Sequence, residues 1–367
     1  MSEAVVTPIV QFGTSRFLQA HADLFFEEGE PRRAVTVVQS SGDPERAGRL
    51  RHLAEGYPVR IRGLWDGRTV DEERRVEAVR RTLSTARDWD EVGRVVTEEA
   101  EAILSNTGDR GFDPLPGDET EDDPQAVSYP AKLFLLLARR HEAGGAPLDI
   151  FPMELISNNG DVLRDRVLRI ANARGASDAL MGWLNECRWA VSLVDRIVSE
   201  PIEPAGAVAE PYALWAIESQ PGLSAPTAHE AISMVDDLEP IERLKLHILN
   251  LCHTVLVQLW RDADGADDMI VSAAMDEAIG REMQAIAEAE VLPGFAAHGM
   301  GDEAATYLAT TLERFRNPFL HHRLSDIAQN HEQKIDRRIG AFLRWARRAQ
   351  PDFTAPRLSR IVDGGVS

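Results

Sequence analysis

A chain of 367 residues, 44% hydrophobic and 27% charged, is long enough for two domains and is globular rather than disordered in composition. Its net charge of −20 excludes nucleic acid and anionic membrane as main partners, because either demands a basic footprint, and any anionic ligand must be met by local cations. The two cysteines, Cys187 and Cys252, form no CxxC pair, no stretch reaches the ~18 apolar residues of a membrane span, and no basic segment leads into an apolar run at the N-terminus, so a reduced, cytoplasmic protein is expected.

Residues 4–13, AVVTPIVQFG, read as an apolar strand running into glycine, and SRFLQAHADLFFEE continues with helical periodicity. Strand, glycine turn and helix is how a dinucleotide-binding domain begins, although Gly13 is followed by Thr14 and Ser15 where the usual fingerprint has a second glycine. The β-rich run AVTVVQSSG (34–42) ends where a second strand meets the adenosine ribose. Asp43 is close enough to receive a ribose hydroxyl, while Ser40, Ser41 and Arg46 suit a 2′-phosphate; the balance favours NAD without excluding NADP.

Further apolar runs occur at 57–64, 101–107, 148–155 and 189–198, separated by helical patterns at VGRVVTEEAE and YPAKLFLLLARRHE. This alternation predicts an α/β domain over 1–203, with a mainly parallel sheet covered on both faces. The acidic stretch GDETEDDP (117–124) reads as a solvated loop. After about Glu203 the β-rich runs stop, and AHEAISMVDDL, DEAIGREMQAIAEAEV, DEAATYLATTLERF and EQKIDRRIGAFLRWARR are helical by pattern. A Rossmann-type domain followed by an all-helical domain over 204–367 is the expected architecture, with a ligand cleft between the two.

The segment 239–260, EPIERLKLHILNLCHTVLVQLW, is apolar almost all round at helical spacing and predicts a buried helix. At ~100° per residue, Asn250 lies ~140° and His253 ~80° round from Lys245, so all three project into one arc. An amine aimed into an apolar interior is held neutral more readily and becomes a candidate general base. The plainer alternative is a snorkelling lysine beside two hydrogen-bonded core groups.

Four other constellations stand out. Ser128, Tyr129 and Lys132 invite comparison with a tyrosine–lysine catalytic pair, but Tyr-x-x-Lys with Pro130 inside it has the wrong spacing, and a structural role is expected. His321, His322, Asp326 and His331 offer no third metal ligand at a recognised spacing, so no metal is expected. In ERFRNPF, Arg314, Arg316 and Asn317 either cap a helix or present a guanidinium fork to a carboxylate, and Arg316 with Asn317 is the substrate-binding candidate. Asn158, Asn159 and Gly160 mark a turn at the carboxyl end of a strand, where ligands approach an open α/β sheet.

The motifs VQFGTSRFLQAH, ILSNT, AVSYPAKL, MELISNNGDVLRDRVL, LVDRIV, KLHILNLCHT and RFRNPFLHH together resemble the mannitol dehydrogenase family of long-chain polyol dehydrogenases, and MELI-x-x-NG with AVSYPAKL resembles its branch of tagaturonate reductases. The resemblance implies metal-independent hydride transfer with NAD (NADP not excluded) on a small sugar acid or polyol, in a monomer or small homo-oligomer. It implies that Lys245 of K-x4-N-x2-H is the catalytic base, that Asn250 and, as a second amide, Asn159 hold the reacting oxygen, and that His253 positions substrate. It also places Phe12, Gly13, Thr14, Ser15, Arg16, Phe17 and Asn106 at the cofactor, beside Ser40 and Asp43 read from the end of the second strand. The substrate expected is a sugar acid exchanging with its keto form, altronate and tagaturonate being the type; the alternatives are a neutral polyol/ketose pair, as in mannitol 2-dehydrogenases, or a nucleotide-binding homologue without catalysis. Ser15 stands where the family has glycine, Gln19 where it has arginine, and Leu251-Cys252 where a Gly-Ala or Gly-Ser pair is usual.

Overall fold

The structure is a computed structural model that describes residues 5–108 and 110–364, apart from the side chains of 44–46, so Arg46 lies outside the described side chains. The chain forms two units: a sheet unit of Met1–Ile61 and Glu72–Leu238, and a helical unit of Arg62–Asp71 and Glu239–Ser367. Among the described residues no helix is long and apolar enough to cross a membrane.

The strands are β1 Ile9–Phe12, β2 Val35–Gln39, β3 Tyr57–Trp65, β4 Arg68–Val76, β5 Val79–Ser84, β6 Ala102–Ser105, β7 Asp149–Pro152 and β8 Arg188–Trp189, followed by β9 Ser192–Asp195, β10 Val198–Pro201, β11 Ala207–Ala209, β12 Leu214–Glu218 and β13 Ile232–Val235. Six of them make a parallel sheet in the order β5-β2-β1-β6-β7-β8. Its central strands IVQF, VTVVQ and AILS are buried at every position, as a sheet covered on both faces requires. The chain leaves β1 towards β2 and later returns on the other side to β6, so the carboxyl ends of β1 and β6 form the switch point at which doubly wound sheets bind ligands.

Helices of the sheet unit are α1 Arg16–Gln19, α2 Ala22–Glu28, α3 Pro44–Ala54, α4 Trp89–Glu98, α5 Tyr129–Glu142, α6 Asn159–Ala173 and α7 Asp178–Glu186. Val92, Leu133, Leu137 and Leu163 of α4, α5 and α6 bury against Val10, Phe12 and Val38 of the sheet. The single helix expected over SRFLQAHADLFFEE is broken at Ala20–His21. There the His21 ring, driven by burial to a pKa of about 3 and therefore neutral, bonds through Nε2 to Leu214 O at 3.0 Å.

The expected boundary at 203/204 falls instead at 238/239, because β11, β12 and β13 follow residue 203. The segment AHEAISMVDDL, helical by local pattern, contributes β13, which pairs in parallel with the buried β12 from Trp215↔Ile232 onward; sheet pairing overrides a weak local preference.

The helical unit runs α8 Glu239–Leu244, a π turn Lys245–Leu249 and α9 Asn250–Asp262 without a break. Next come α10 Val271–Asp276, α11 Ala278–Ile286, a second π turn Ala287–Val291, α12 Leu292–Ala296 and α13 Gly301–Phe315. The unit ends with α14 Leu324–Ile327, α15 His331–Lys334, a third π turn Ile335–Gly340, α16 Ala341–Ala349 and α17 Pro356–Gly364. The first π turn packs against the other two, around Ile248, Leu251, Phe295, Ile339 and Phe342. The β3–β4 turn belongs to this unit: the N–H groups of Asp66 and Gly67 donate to the Glu313 carboxylate at 3.3 and 2.6 Å, and the Arg62 guanidinium lies 4.0 Å over the Phe319 ring.

Candidate active site

In the sheet unit, the turn after β1 is built on Gly13, whose φ is +136° and where an added Cβ would meet Asn106 O at 2.6 Å. Only glycine lets β1 and β6 end this close. The Gly13 N–H donates to Val38 O at 3.1 Å and the Asn106 N–H to Phe12 O at 2.9 Å, tying the ends of β2, β1 and β6 together. Ser15 caps α1: its hydroxyl accepts from the Leu18 N–H at 3.2 Å and donates to Asn106 Oδ1 at 3.4 Å, so a capped turn replaces the glycine-opened one. Gln19 accepts the Gly206 N–H at 2.7 Å, a bond for which arginine has no acceptor. Thr14 and Ser15, with Arg16, Gln19 and Arg49, line a cavity of about 240 Å³.

Three of the expected cofactor residues have side chains spent on packing. Phe12 is fully buried under Tyr129, with ring centroids 5.4 Å apart. Arg16 donates to Ile202 O and Gly206 O, both at 2.9 Å, and to Glu203 at 2.8 Å, strapping the loop at 202–206. Phe17 stacks on His21 at 4.7 Å. At the end of β2, Ser40 O accepts from Lys132 Nζ at 3.1 Å and from the Thr85 hydroxyl at 3.3 Å, while Asp43 O accepts from Gln39 Nε2 at 2.9 Å. Lys132 therefore braces β2; burial lowers the pKa of its amine, which the fields of Asp118 and Asp123 oppose.

Asn159 is the sharpest departure from expectation. It is fully buried; Nδ2 lies within 3.1 Å of Pro152 O, Glu154 O and Ser192 O, and Oδ1 accepts the N–H groups of Gly160 and Ser192 at 2.9 and 3.0 Å. Every donor of the amide is committed to backbone, which leaves none for a reacting oxygen. Its neighbour Asn158 is exposed at φ 53°. A residue not singled out from the sequence, Glu154, joins the ends of β6 and β7: it accepts from Ser105 Oγ, Thr107 N and Thr107 Oγ1 at 2.9–3.0 Å, and burial raises the pKa of its carboxyl against those bonds.

In the helical unit the expected uninterrupted helix over 239–260 contains a π turn, closed by the Asn250 N–H donating to Lys245 O. An i→i+5 bond packs five residues into about one turn, so Asn250 lies ~50° from Lys245 rather than the ~140° of an α-helix. His253, three α-helical residues further, swings ~60° back, and the three polar groups share an arc of roughly 60°. The stripe is not sealed in an apolar interior: Lys245 and Asn250 are half-buried and α8 has no buried residue. The Asn250 carboxamide makes no hydrogen bond among the described residues.

His253 is buried with its ring 4.1 Å from that of Phe315 and 5.6 Å from that of His322. Burial, then the positive fields of His322, Arg338 and Arg314, hold its pKa well below the ordinary value against a bond to the Leu249 backbone, so the ring is neutral. Arg314 is 5% exposed, whereas Arg316 is exposed and donates to Leu312 O of its own helix end at 3.4 Å and to Gln284 Oε1 of α11 at 3.0 Å. The helix-capping alternative thus fits Arg316. Asn317 donates to Arg62 O at 3.3 Å and accepts the Phe319 N–H at 3.0 Å, fixing the turn. Among the described residues no group of three His, Cys, Asp or Glu is placed to hold a metal ion, and His331 bonds to Gln258 Oε1 at 2.9 Å.

Residues 7–227 match the mannitol dehydrogenase Rossmann domain and residues 237–362 the mannitol dehydrogenase C-terminal domain. The chain belongs to the mannitol dehydrogenase family. It is 31% identical over 370 residues to the altronate oxidoreductase of Escherichia coli O1:K1 / APEC, covering 90% of this chain and 73% of that protein, and equally similar to that of Escherichia coli O139:H28. Among solved structures, D-sorbitol dehydrogenase in substrate-free form superposes with TM-score 0.82 at 19% identity over 98% of this chain and 80% of that one. The Pseudomonas fluorescens mannitol 2-dehydrogenase ternary complex with NAD and D-mannitol superposes with TM-score 0.74 at 16% identity, covering 98% and 78%. Both share the fold, a Rossmann-type parallel sheet followed by a helical region.

Proposed function

We propose that this chain is an NAD(P)-dependent oxidoreductase that interconverts a sugar acid and its keto form, of the altronate/tagaturonate kind, with Lys245 as general base. The observation that carries the reading is the stripe Lys245, Asn250 and His253: among the described residues the amide makes no hydrogen bond, the imidazole is neutral, and a π turn brings the amine onto the same face. Family membership and 31% identity to altronate oxidoreductase support the sugar-acid class.

The strand ends of the sheet unit fit a dinucleotide. The Gly13 turn carries no side chain against β6, and the Ser15 hydroxyl with the backbone of Thr14 and Ser15 edges the adjoining cavity, which suits a diphosphate. Ser40 and Asp43 at the end of β2 suit the adenosine ribose, and Asp43 weights the choice towards NAD. A bound nicotinamide supplies the hydride acceptor in oxidation and the donor in reduction. Lys245 Nζ takes the proton of the reacting hydroxyl, and Asn250 Nδ2 donates to the oxygen as charge develops on it. His253, an acceptor on one ring nitrogen, orients a neighbouring substrate hydroxyl. Arg314, rather than the helix-capping Arg316, receives the carboxylate.

Following NADH and NADPH consumption with keto-uronates and ketoses tests the reading. Turnover is expected on keto-uronates, and Arg314→Met is expected to raise KM for them at least ~10-fold while Arg316→Met stays within about twofold. Turnover on neutral ketoses alone would replace the sugar acid by a polyol, and tight nucleotide binding with no turnover on either class would remove catalysis from the proposal.

A further inference from the structure

The π turn that sets Lys245 beside Asn250 is gripped from outside by one residue. Arg338 lies in the third π turn, Ile335–Gly340. Its Nη1 donates to Asn250 O at 3.2 Å and to Thr254 Oγ1 at 3.0 Å, and the Thr254 hydroxyl donates to the same Asn250 carbonyl at 3.0 Å. Its own carbonyl oxygen is 3.3 Å from Nδ1 of His247, inside the first π turn. The His247 ring is fully buried, stacks on Trp345 with centroids 5.6 Å apart, and is held by burial at a pKa of about 4. It is therefore neutral, and Nδ1–H donates to Arg338 O. One residue thus touches the turn at His247 and, through its guanidinium, at the carbonyl of Asn250, the residue whose N–H closes the turn.

Two features separate this contact from ordinary packing. A π turn is a one-residue excess in a helix, rarely seen unless its surroundings hold it, and relaxation to α geometry would carry Asn250 ~90° further round from Lys245. Moreover, among the described residues no carboxylate pairs with the Arg338 guanidinium; a half-buried cation is spent on a carbonyl and a hydroxyl, an arrangement that does little for stability alone. The same charge helps keep His253 neutral.

We propose that Arg338 is a positioning residue for the reaction: by holding the Asn250 peptide it fixes the π turn and hence the register of the Lys245 amine against the Asn250 amide. The inference rests on the reading of Lys245 as general base, so three variants are measured together. Lys245→Ala is expected to abolish turnover; if it does not, the general base is misassigned. Arg338→Met is expected to lower kcat roughly 30–100-fold with KM for the nucleotide within about twofold, because misplacement by an ångström costs rate before it costs cofactor binding. Arg338→Lys, which keeps one donor at Asn250 O, is expected to recover part of the loss. If either variant folds poorly, Arg338→Ala with millimolar guanidinium gives an internal control: at least ~5-fold restoration of kcat is expected from refilling the guanidinium site. An inactive Lys245→Ala beside an Arg338→Met enzyme with near-normal kcat, or an Arg338→Ala enzyme whose lost kcat guanidinium leaves unchanged, would overturn the proposal.

Discussion

At the carboxyl end of β7 in the sheet unit, each polar atom of Asn159 is committed to backbone partners up to 33 residues away in sequence, whereas in the helical unit the Asn250 carboxamide makes no hydrogen bond among the described residues. Both are asparagines beside family motifs. The difference separates a buried amide that completes the fold from a half-buried one, which we propose meets the reacting oxygen, since a buried polar group normally finds its partner inside the protein. The same division runs through the other site residues: Arg16, Arg316 and Asn317 are spent on carbonyls and helix ends, while the Lys245 stripe lies on a turn that departs from α geometry.

The comparison is broken most directly at its strongest point. Lys245→Ala should reduce kcat by roughly 10³–10⁴-fold with circular dichroism and nucleotide affinity preserved, because removing the proposed general base costs rate rather than fold. Next, Asn250→Ala should lower kcat by ~10²-fold at unchanged Tm, and Asn159→Ala should do the reverse, costing on the order of 3 kcal/mol of stability by orphaning buried carbonyls and an N–H. Equal losses of Tm in the two variants would erase the distinction. Gly13→Ala pushes a methyl into Asn106 O and should weaken nucleotide binding ~10-fold or more by calorimetry, with a smaller loss of Tm.

The smallest effect concerns Asp23, buried in the sheet unit, whose carboxyl is raised to about 7 by burial and accepts the Tyr57 hydroxyl at 2.6 Å. A carboxyl with a raised folded-state pKa stabilises fully below its unfolded value near 4, and that contribution is lost as pH climbs through 7. Asp23→Asn should therefore raise stability by on the order of 1–2 kcal/mol at pH 9 and little or not at all at pH 5, read from urea midpoints at the two pH values.

The parallel sheet was readable because IVQF, VTVVQ and AILS are continuous apolar runs and Gly13 punctuates the first. β4, RTVDEERRV, was not, since it is largely exposed and carries no apolar alternation, and β13 was hidden because Ile232–Val235 finds its reason only in Trp215 and Ile217 of β12. Lys245, Asn250 and His253 were readable as a set, but their alignment was not: a one-residue excess leaves no mark in composition, and on α geometry the amide stands well off the amine. Nor does sequence distinguish the duties of Asn159 and Asn250, because the partners that saturate Asn159 are main-chain atoms brought from β7 and β9.

The β3–β4 turn, with its N–H groups on Glu313 and Arg62 against Phe319, has a practical corollary for dissecting the protein. A fragment begun at Glu239 would contain every π turn yet strip Arg62 from the Phe319 face, the Asp66 and Gly67 N–H groups from the Glu313 carboxylate and the acceptor from Asn317 Nδ2, so an excised helical half needs residues 62–71 supplied in trans or grafted through a linker to be a fair copy of the native one.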